Sequence, residues 1–126
     1  MDNNQQSLSF EAAVRRVFNN YATFQGRASR AEFWWFMLFC FCISAVLGIL
    51  AVITNLSVFN FINGVFELAI LVPVLAVSWR RLHDTGRAGG WWFINLIPAV
   101  GAIIFIIFCV QPSEPMANRF GEVPAN

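Results

Sequence analysis

Lysine is absent from this chain, histidine and tyrosine occur once each, and charged residues make up only 12% of its 126 positions. A water-soluble domain carries about 25% charged residues, so the polar surface needed to coat a globule is missing. One histidine and three cysteines, at positions 40, 42 and 109, lack metal-ligand spacing and give no disulfide framework. Nor does the sequence hold a nucleophile elbow, a phosphate-binding glycine loop or a dinucleotide fingerprint. These absences speak against catalysis, a cofactor and a bound metal. A net charge of +1 likewise gives no footing for a nucleic-acid partner.

Hydrocarbon fills the chain instead. Hydrophobic residues make up 58% of it, and mean hydropathy is +0.62. Residues 33–53 (FWWFMLFCFCISAVLGILAVI) and 91–110 (WWFINLIPAVGAIIFIIFCV) carry no charge. Each run has about the twenty residues that cross ~30 Å of bilayer at 1.5 Å per residue. Residues 58–79 are long enough for another span, though they include Asn60, Asn63, Glu67 and Pro73. So short a chain has nothing in which to bury such runs in water. The expected fold is an all-α membrane protein: three transmembrane helices preceded by an amphipathic N-terminal helix, one membrane domain over residues 9–126. The amphipathic helix is placed at about residues 9–24, where Phe10, Val14, Val17, Phe18 and Tyr21 recur at helical spacing opposite Arg15, Arg16, Asn19 and Asn20. It lies on a leaflet or packs on the ends of the bundle, and Gly26 is expected to end the segment. Residues 1–8 are expected to be disordered, and residues 111–126 form a polar tail. The first 32 residues are too long and too polar for a signal peptide, so the first span is expected to remain as an anchor.

Arginine sets the orientation. Arg15, Arg16, Arg27 and Arg30 precede the first span, and Arg80, Arg81 and Arg87 lie between the second and third. The turn at 54–57 has no basic residue, and the tail has only Arg119. Short arginine-rich segments stay cytoplasmic, which puts the N-terminus and the 80–90 loop inside. Three crossings then send the tail outside, unless Pro98 breaks the third span into a re-entrant hairpin and returns Arg119. Trp34, Trp35, Trp79, Trp91 and Trp92 all fall at the arginine-rich interface, where amphipathic rings are favoured.

Local chemistry sharpens three places. Ser29 followed by Glu32 reads as a capping box that starts the first span at Arg30. In the knot RRLHDTGRAGGWW (residues 80–92), Arg80 and Arg81 complement a helix C-terminus, and Asp84-Thr85-Gly86 is turn chemistry. His83 beside Asp84 suggests an acid–base or metal pair, but no second histidine or carboxylate cluster accompanies it. The pair is therefore read as organising the loop through hydrogen bonds and ion pairs with arginines. In the second span, Asn60, Asn63, Gly64 and Glu67 share one helical face, with Glu67 ~14 Å along the helix from Val58. An ionised carboxylate at such depth costs on the order of 3 kcal/mol. It needs a partner, a wet cavity, another subunit or a proton, unless the span starts later and Glu67 snorkels outward.

At these residues the chain resembles the bacterial membrane proteins grouped as domain of unknown function 805. Phe24, Gly26-Arg27-Ala28-Ser29-Arg30 and Glu32-Phe33-Trp34 match its first block, Arg80-Arg81-Leu82-His83-Asp84 with Trp91-Trp92 its second, and Asn118-Arg119-Phe120-Gly121 with Pro124 its tail. The chain departs from the family's Ser-Gly before the double tryptophan, having Ala88-Gly89-Gly90, and its approach to the tail is Pro-rich rather than Gly-rich. The resemblance implies a small multi-pass protein of the bacterial inner membrane and no biochemical activity.

Both Arg-rich blocks lie on the expected cytoplasmic side. Glu32 and Asp84 are expected to pair with arginines of the opposite block, making one basic surface for anionic headgroups or the acidic face of a partner. The expected contact residues are Arg27, Arg30, Glu32, Trp34, Arg80, Arg81, His83, Asp84, Arg87 and Trp91. The functional expectation is a non-catalytic protein that binds phospholipid or a membrane partner, as a homo-oligomer or within a larger complex. The alternative is a subunit of a small oligomeric transporter or channel lined by Asn60, Asn63 and Glu67.

Overall fold

The computed structural model describes residues 8–124. The disorder expected for residues 1–8 therefore falls outside them except at Leu8, which is buried and accepts a hydrogen bond from Trp35 Nε1 at 3.0 Å. The described residues form α1 (Phe10–Asn19), α2 (Arg30–Thr54), α3 (Val58–Asp84), a 3₁₀ arm (Gly89–Leu96) and α4 (Val100–Val110).

Helix α2 starts where Ser29 caps it, the Ser29 Oγ accepting from the Glu32 amide at 3.1 Å. The reciprocal half of the capping box is absent, because the Glu32 carboxylate turns to Arg80 instead. Asn55 in the left-handed conformation ends α2, and α3 runs back beside it. At 1.5 Å per residue these helices are ~37 and ~40 Å long, more than the ~30 Å of a bilayer core. Their shared seam is thin: Phe33, Phe36 and Cys40 of α2 meet Ile70 and Val77 of α3. Elsewhere they present Phe41, Val52, Phe61 and Leu68 to the outside, each more than 70% exposed. Such surfaces suit hydrocarbon and not water.

Helix α1 is shorter than its periodicity suggests. It stops at Asn19, well before Gly26, because the Asn20 side chain turns back to the Arg16 carbonyl at 2.9 Å. Ala13 and Val17 are buried, Glu11 and Arg15 are exposed, and Phe18 packs edge-on against Phe36 and Phe39 of α2.

Among the hydrogen bonds that fasten the segment after α1 to α3, one reaches the middle of the helix. Pro73 lies inside α3 and, lacking an N–H, leaves the carbonyl four residues earlier without its helical donor. That carbonyl belongs to Ala69, and the Tyr21 hydroxyl donates to it. The single tyrosine thus repairs the gap made by the proline. Tyr21→Phe is expected to cost about 1–3 kcal/mol by orphaning the carbonyl. In a Pro73→Ala background the restored N–H takes over, so the same change should cost much less. A double-mutant cycle on reversible unfolding in mild detergent checks the coupling.

The stretch 91–110 corrects the expectation of a third continuous span. The 3₁₀ arm ends at Leu96, and Ala99 adopts φ 62°, ψ −62°, with the Val100 amide donating to the Pro98 carbonyl at 2.6 Å. This is a γ-turn of the rare positive-φ kind, and it reverses the chain. Trp91 meets Phe108 edge-on at 5.8 Å, so the two arms run antiparallel as a hairpin. Gly101 makes the close contact: a Cβ there would lie 1.8 Å from the Ile94 carbonyl oxygen. Eleven residues of α4 reach ~16 Å, about half a bilayer core. The tail emerges at the same end of the bundle as the arginines, not at the opposite end.

Candidate functional site

The arginine-rich end is built around the last turn of α3. Gly86 at φ 84° closes the helix: its amide donates to the His83 carbonyl at 3.0 Å, and the Arg87 amide donates to that of Leu82 at 2.9 Å. This paired termination fixes Arg80, Arg81, His83 and Asp84 on known sides of the helix end. Gly89 then lets the chain pass close under Trp79, where a Cβ would fall 2.0 Å from the indole nitrogen.

Asp84 is fully buried between two guanidiniums. Its Oδ1 accepts from Arg27 Nε at 2.9 Å, and its Oδ2 accepts from Arg81 Nη1 and the Ser113 hydroxyl. Glu32, also buried, accepts from Arg80 Nη1 at 2.7 Å, with Arg16 Nη1 at 3.8 Å from its other oxygen. Both pairings across the two sequence blocks, Glu32 with Arg80 and Asp84 with Arg27, are therefore present.

The remaining donors of these arginines capture main chain. Arg27 reaches the carbonyls of Met116 (2.9 Å), Gly121 (3.2 Å), Glu114 (2.8 Å) and Asp84 (3.3 Å). Arg81 donates to Ala28, Cys109 and Gln111. The planar fork of arginine is what allows one side chain to serve so many acceptors. Together the two side chains tie the α2 start, the α3 end, the α4 end and the tail into one knot.

The tail docks on the same knot. The Phe120 ring stacks on His83 with centroids 3.9 Å apart, the Arg119 guanidinium lies over Phe120 at 4.6 Å, and Asn118 Nδ2 donates to the His83 carbonyl at 3.0 Å. His83 Nδ1 donates to the Gly26 carbonyl at 2.9 Å. His83 is thus a stacking and hydrogen-bonding post. Among the described residues, no three His, Cys, Asp or Glu side chains gather as a metal would require.

Of the residues expected to form a contact surface, Arg27, Glu32, Arg80, Arg81, His83 and Asp84 are buried. Arg30, Arg87, Trp34 and Trp91 stay at least partly exposed. Arg30 donates to the Val110 carbonyl at 3.0 Å, Trp34 Nε1 to that of Cys109 at 3.2 Å, and Arg87 lies over the Phe108 ring at 4.1 Å. Asn60, Asn63 and Glu67 are far from this knot on α3; Asn60 and Glu67 are exposed, and Asn63 is partly buried. Sequence reading missed Ser113, Asn118 and Phe120 as members of the site. The tail block Asn118-Arg119-Phe120-Gly121 was the available signal for the last two.

Residues 21–122 match a family described as "Protein of unknown function (DUF805)", a range that contains the knot and its tail clasp. Inner membrane protein YhaH of Escherichia coli (strain K12) is 37% identical over 112 residues, covering 86% of this chain and 93% of that protein. Inner membrane protein YhaI of the same strain is 34% identical over 108 residues, covering 86% and 91%. No solved structure matches the chain. With its two long apolar helices and these relatives, the chain is a membrane protein, and it belongs to the DUF805 family.

Proposed function

We propose that this chain is a small, non-catalytic protein of the bacterial inner membrane whose arginine end binds anionic lipid headgroups at the cytoplasmic face. One observation carries the reading: all eight arginines gather at one end of the bundle, against five carboxylates there among the described residues (Glu11, Glu32, Asp84, Glu114 and Glu122). The buried pairs fasten the fold. Arg15, Arg30, Arg87 and Arg119 remain exposed or half-exposed, at the level where Trp34, Trp35 and Trp91 mark an interface. Arginine at a cytoplasmic surface attracts anionic lipid by about 1 kcal/mol per residue. In this reading α2 and α3 cross the membrane, residues 89–110 dip halfway in, and both ends of the chain lie in the cytoplasm.

Lipid retention tests it. Purified protein in phosphatidylglycerol–phosphatidylcholine nanodiscs is expected to enrich phosphatidylglycerol around itself. The triple change Arg30→Gln, Arg87→Gln, Arg119→Gln should weaken that preference on the order of 100-fold, while loss of the contacts to Val110, Phe108 and Phe120 lowers the unfolding midpoint only modestly and leaves the protein folded. Equal enrichment by the triple variant, or none by the natural chain, refutes the headgroup role.

A further inference from the structure

Glu67 is the only charged residue between Phe33 and Trp79. It sits on α3 about 18 Å along the helix from Trp79 and about 14 Å from Val58, near the middle of a span. Its side chain is exposed and makes no hydrogen bond or ion pair with any described residue. Gly64 and Asn60, one and two turns away on the same face, are exposed too, and a Cβ at Gly64 would meet nothing within 4 Å. Neither α2 nor α1 covers this face. The hairpin reaches only ~16 Å from Val110, so its third layer stops about where the polar face begins. The fold therefore leaves a carboxyl group, an amide and a glycine together on bare helix at hydrocarbon depth, where an unsatisfied polar group is costly.

We infer that a second copy of this chain covers this face, the two α3 helices crossing at Gly64. A face that holds both an amide donor and a carboxyl acceptor is complementary to itself, as a two-fold contact requires. In a parallel pair, Glu67 of one copy comes within a helical turn of Asn63 and Gly64 of the other, and Gly64 allows the backbones to approach. A partner helix carrying a buried cation is the competing occupant; this chain has no cation at that depth in either copy. The inference requires that α3 spans the bilayer and is independent of headgroup binding.

Energy transfer between donor- and acceptor-labelled copies in phosphatidylcholine vesicles tests the pairing. Transfer should rise with the protein-to-lipid ratio. Because each change acts twice in a two-fold pair, Glu67→Leu and Gly64→Ile should each weaken association about tenfold. Glu67→Gln, which keeps hydrogen-bonding capacity, should stay within about threefold, and Phe41→Leu on the exposed face of α2 should match the natural chain. In a Cys42→Ser background, Gly64→Cys should form an oxidant-dependent dimer in native membranes. No transfer at any ratio overturns the inference, as does pairing of Glu67→Leu and Gly64→Ile at natural strength. Lipid preference measured in the same preparations shows whether headgroup binding stands or falls separately.

Discussion

Asp84→Ala is expected to cost about 3–5 kcal/mol, a large part of the 5–15 kcal/mol that holds a typical domain together. The carboxylate is completely buried against Arg27 and Arg81, and its loss leaves two guanidiniums facing each other away from water. Asp84→Asn should be nearly as damaging, because the shape survives but the charge does not. Arg27→Lys should also fail to behave as a conservative change. An ammonium cannot reproduce the fork that bonds Asp84 and the carbonyls of Glu114, Met116 and Gly121 together. Unfolding of the purified protein in mild detergent measures each loss, and a midpoint unchanged by Asp84→Ala would show that the knot does not hold the bundle.

Gly101→Ala is expected to destabilise on the order of 3 kcal/mol, the upper part of the range for overpacking. The added carbon would meet the Ile94 carbonyl oxygen at 1.8 Å and its carbon at 2.8 Å. Both are main chain, so no rotamer change relieves the clash, and the hairpin arms must part. Gly90→Ala is the control, since nothing lies within 4 Å of a Cβ there, and it should stay within about 0.5 kcal/mol. If 91–110 were one straight helix, Gly101 would face no opposing arm and the two substitutions would behave alike. Comparing their unfolding midpoints therefore tests the hairpin itself.

The outlines of α2 and α3 are readable because hydrophobic length and charge are properties of composition. The start of α2 is readable because a serine oxygen three residues before an amide is a local device, and Ser29 performs it. The pairing of Glu32 and Asp84 with opposite arginines could be expected as well, since a buried carboxylate among arginines has few other stable outcomes. The hairpin is a different matter. A twenty-residue apolar run looks the same whether it crosses a bilayer or turns back halfway, and the reversal rests on the backbone of Ala99, not on any side chain. Pro98 was the only local sign of it. The tail clasp is hidden for a similar reason: Arg27 grips carbonyl oxygens, which every residue carries. The contact between Tyr21 and Ala69 became visible only once Pro73 was known to lie on the side of α3 that the segment after α1 approaches.

These corrections change what the arginines are for. Those that are buried fasten helix ends and tail, and the exposed ones are left to meet the membrane surface. A short hairpin also leaves the far half of α3 without a third neighbour, which is where Glu67 lies.

Labelling with an impermeant maleimide in intact cells, on a Cys42→Ser background, tests the central arrangement most directly. Thr85→Cys reports the arginine loop, Val123→Cys the tail and Leu56→Cys the turn between α2 and α3. Two crossings with a returning hairpin predict that only the Leu56 position reacts before the membrane is opened, and that the other two react afterwards. Reaction at Val123 in intact cells with Thr85 still protected would mean a third crossing, and would contradict the account.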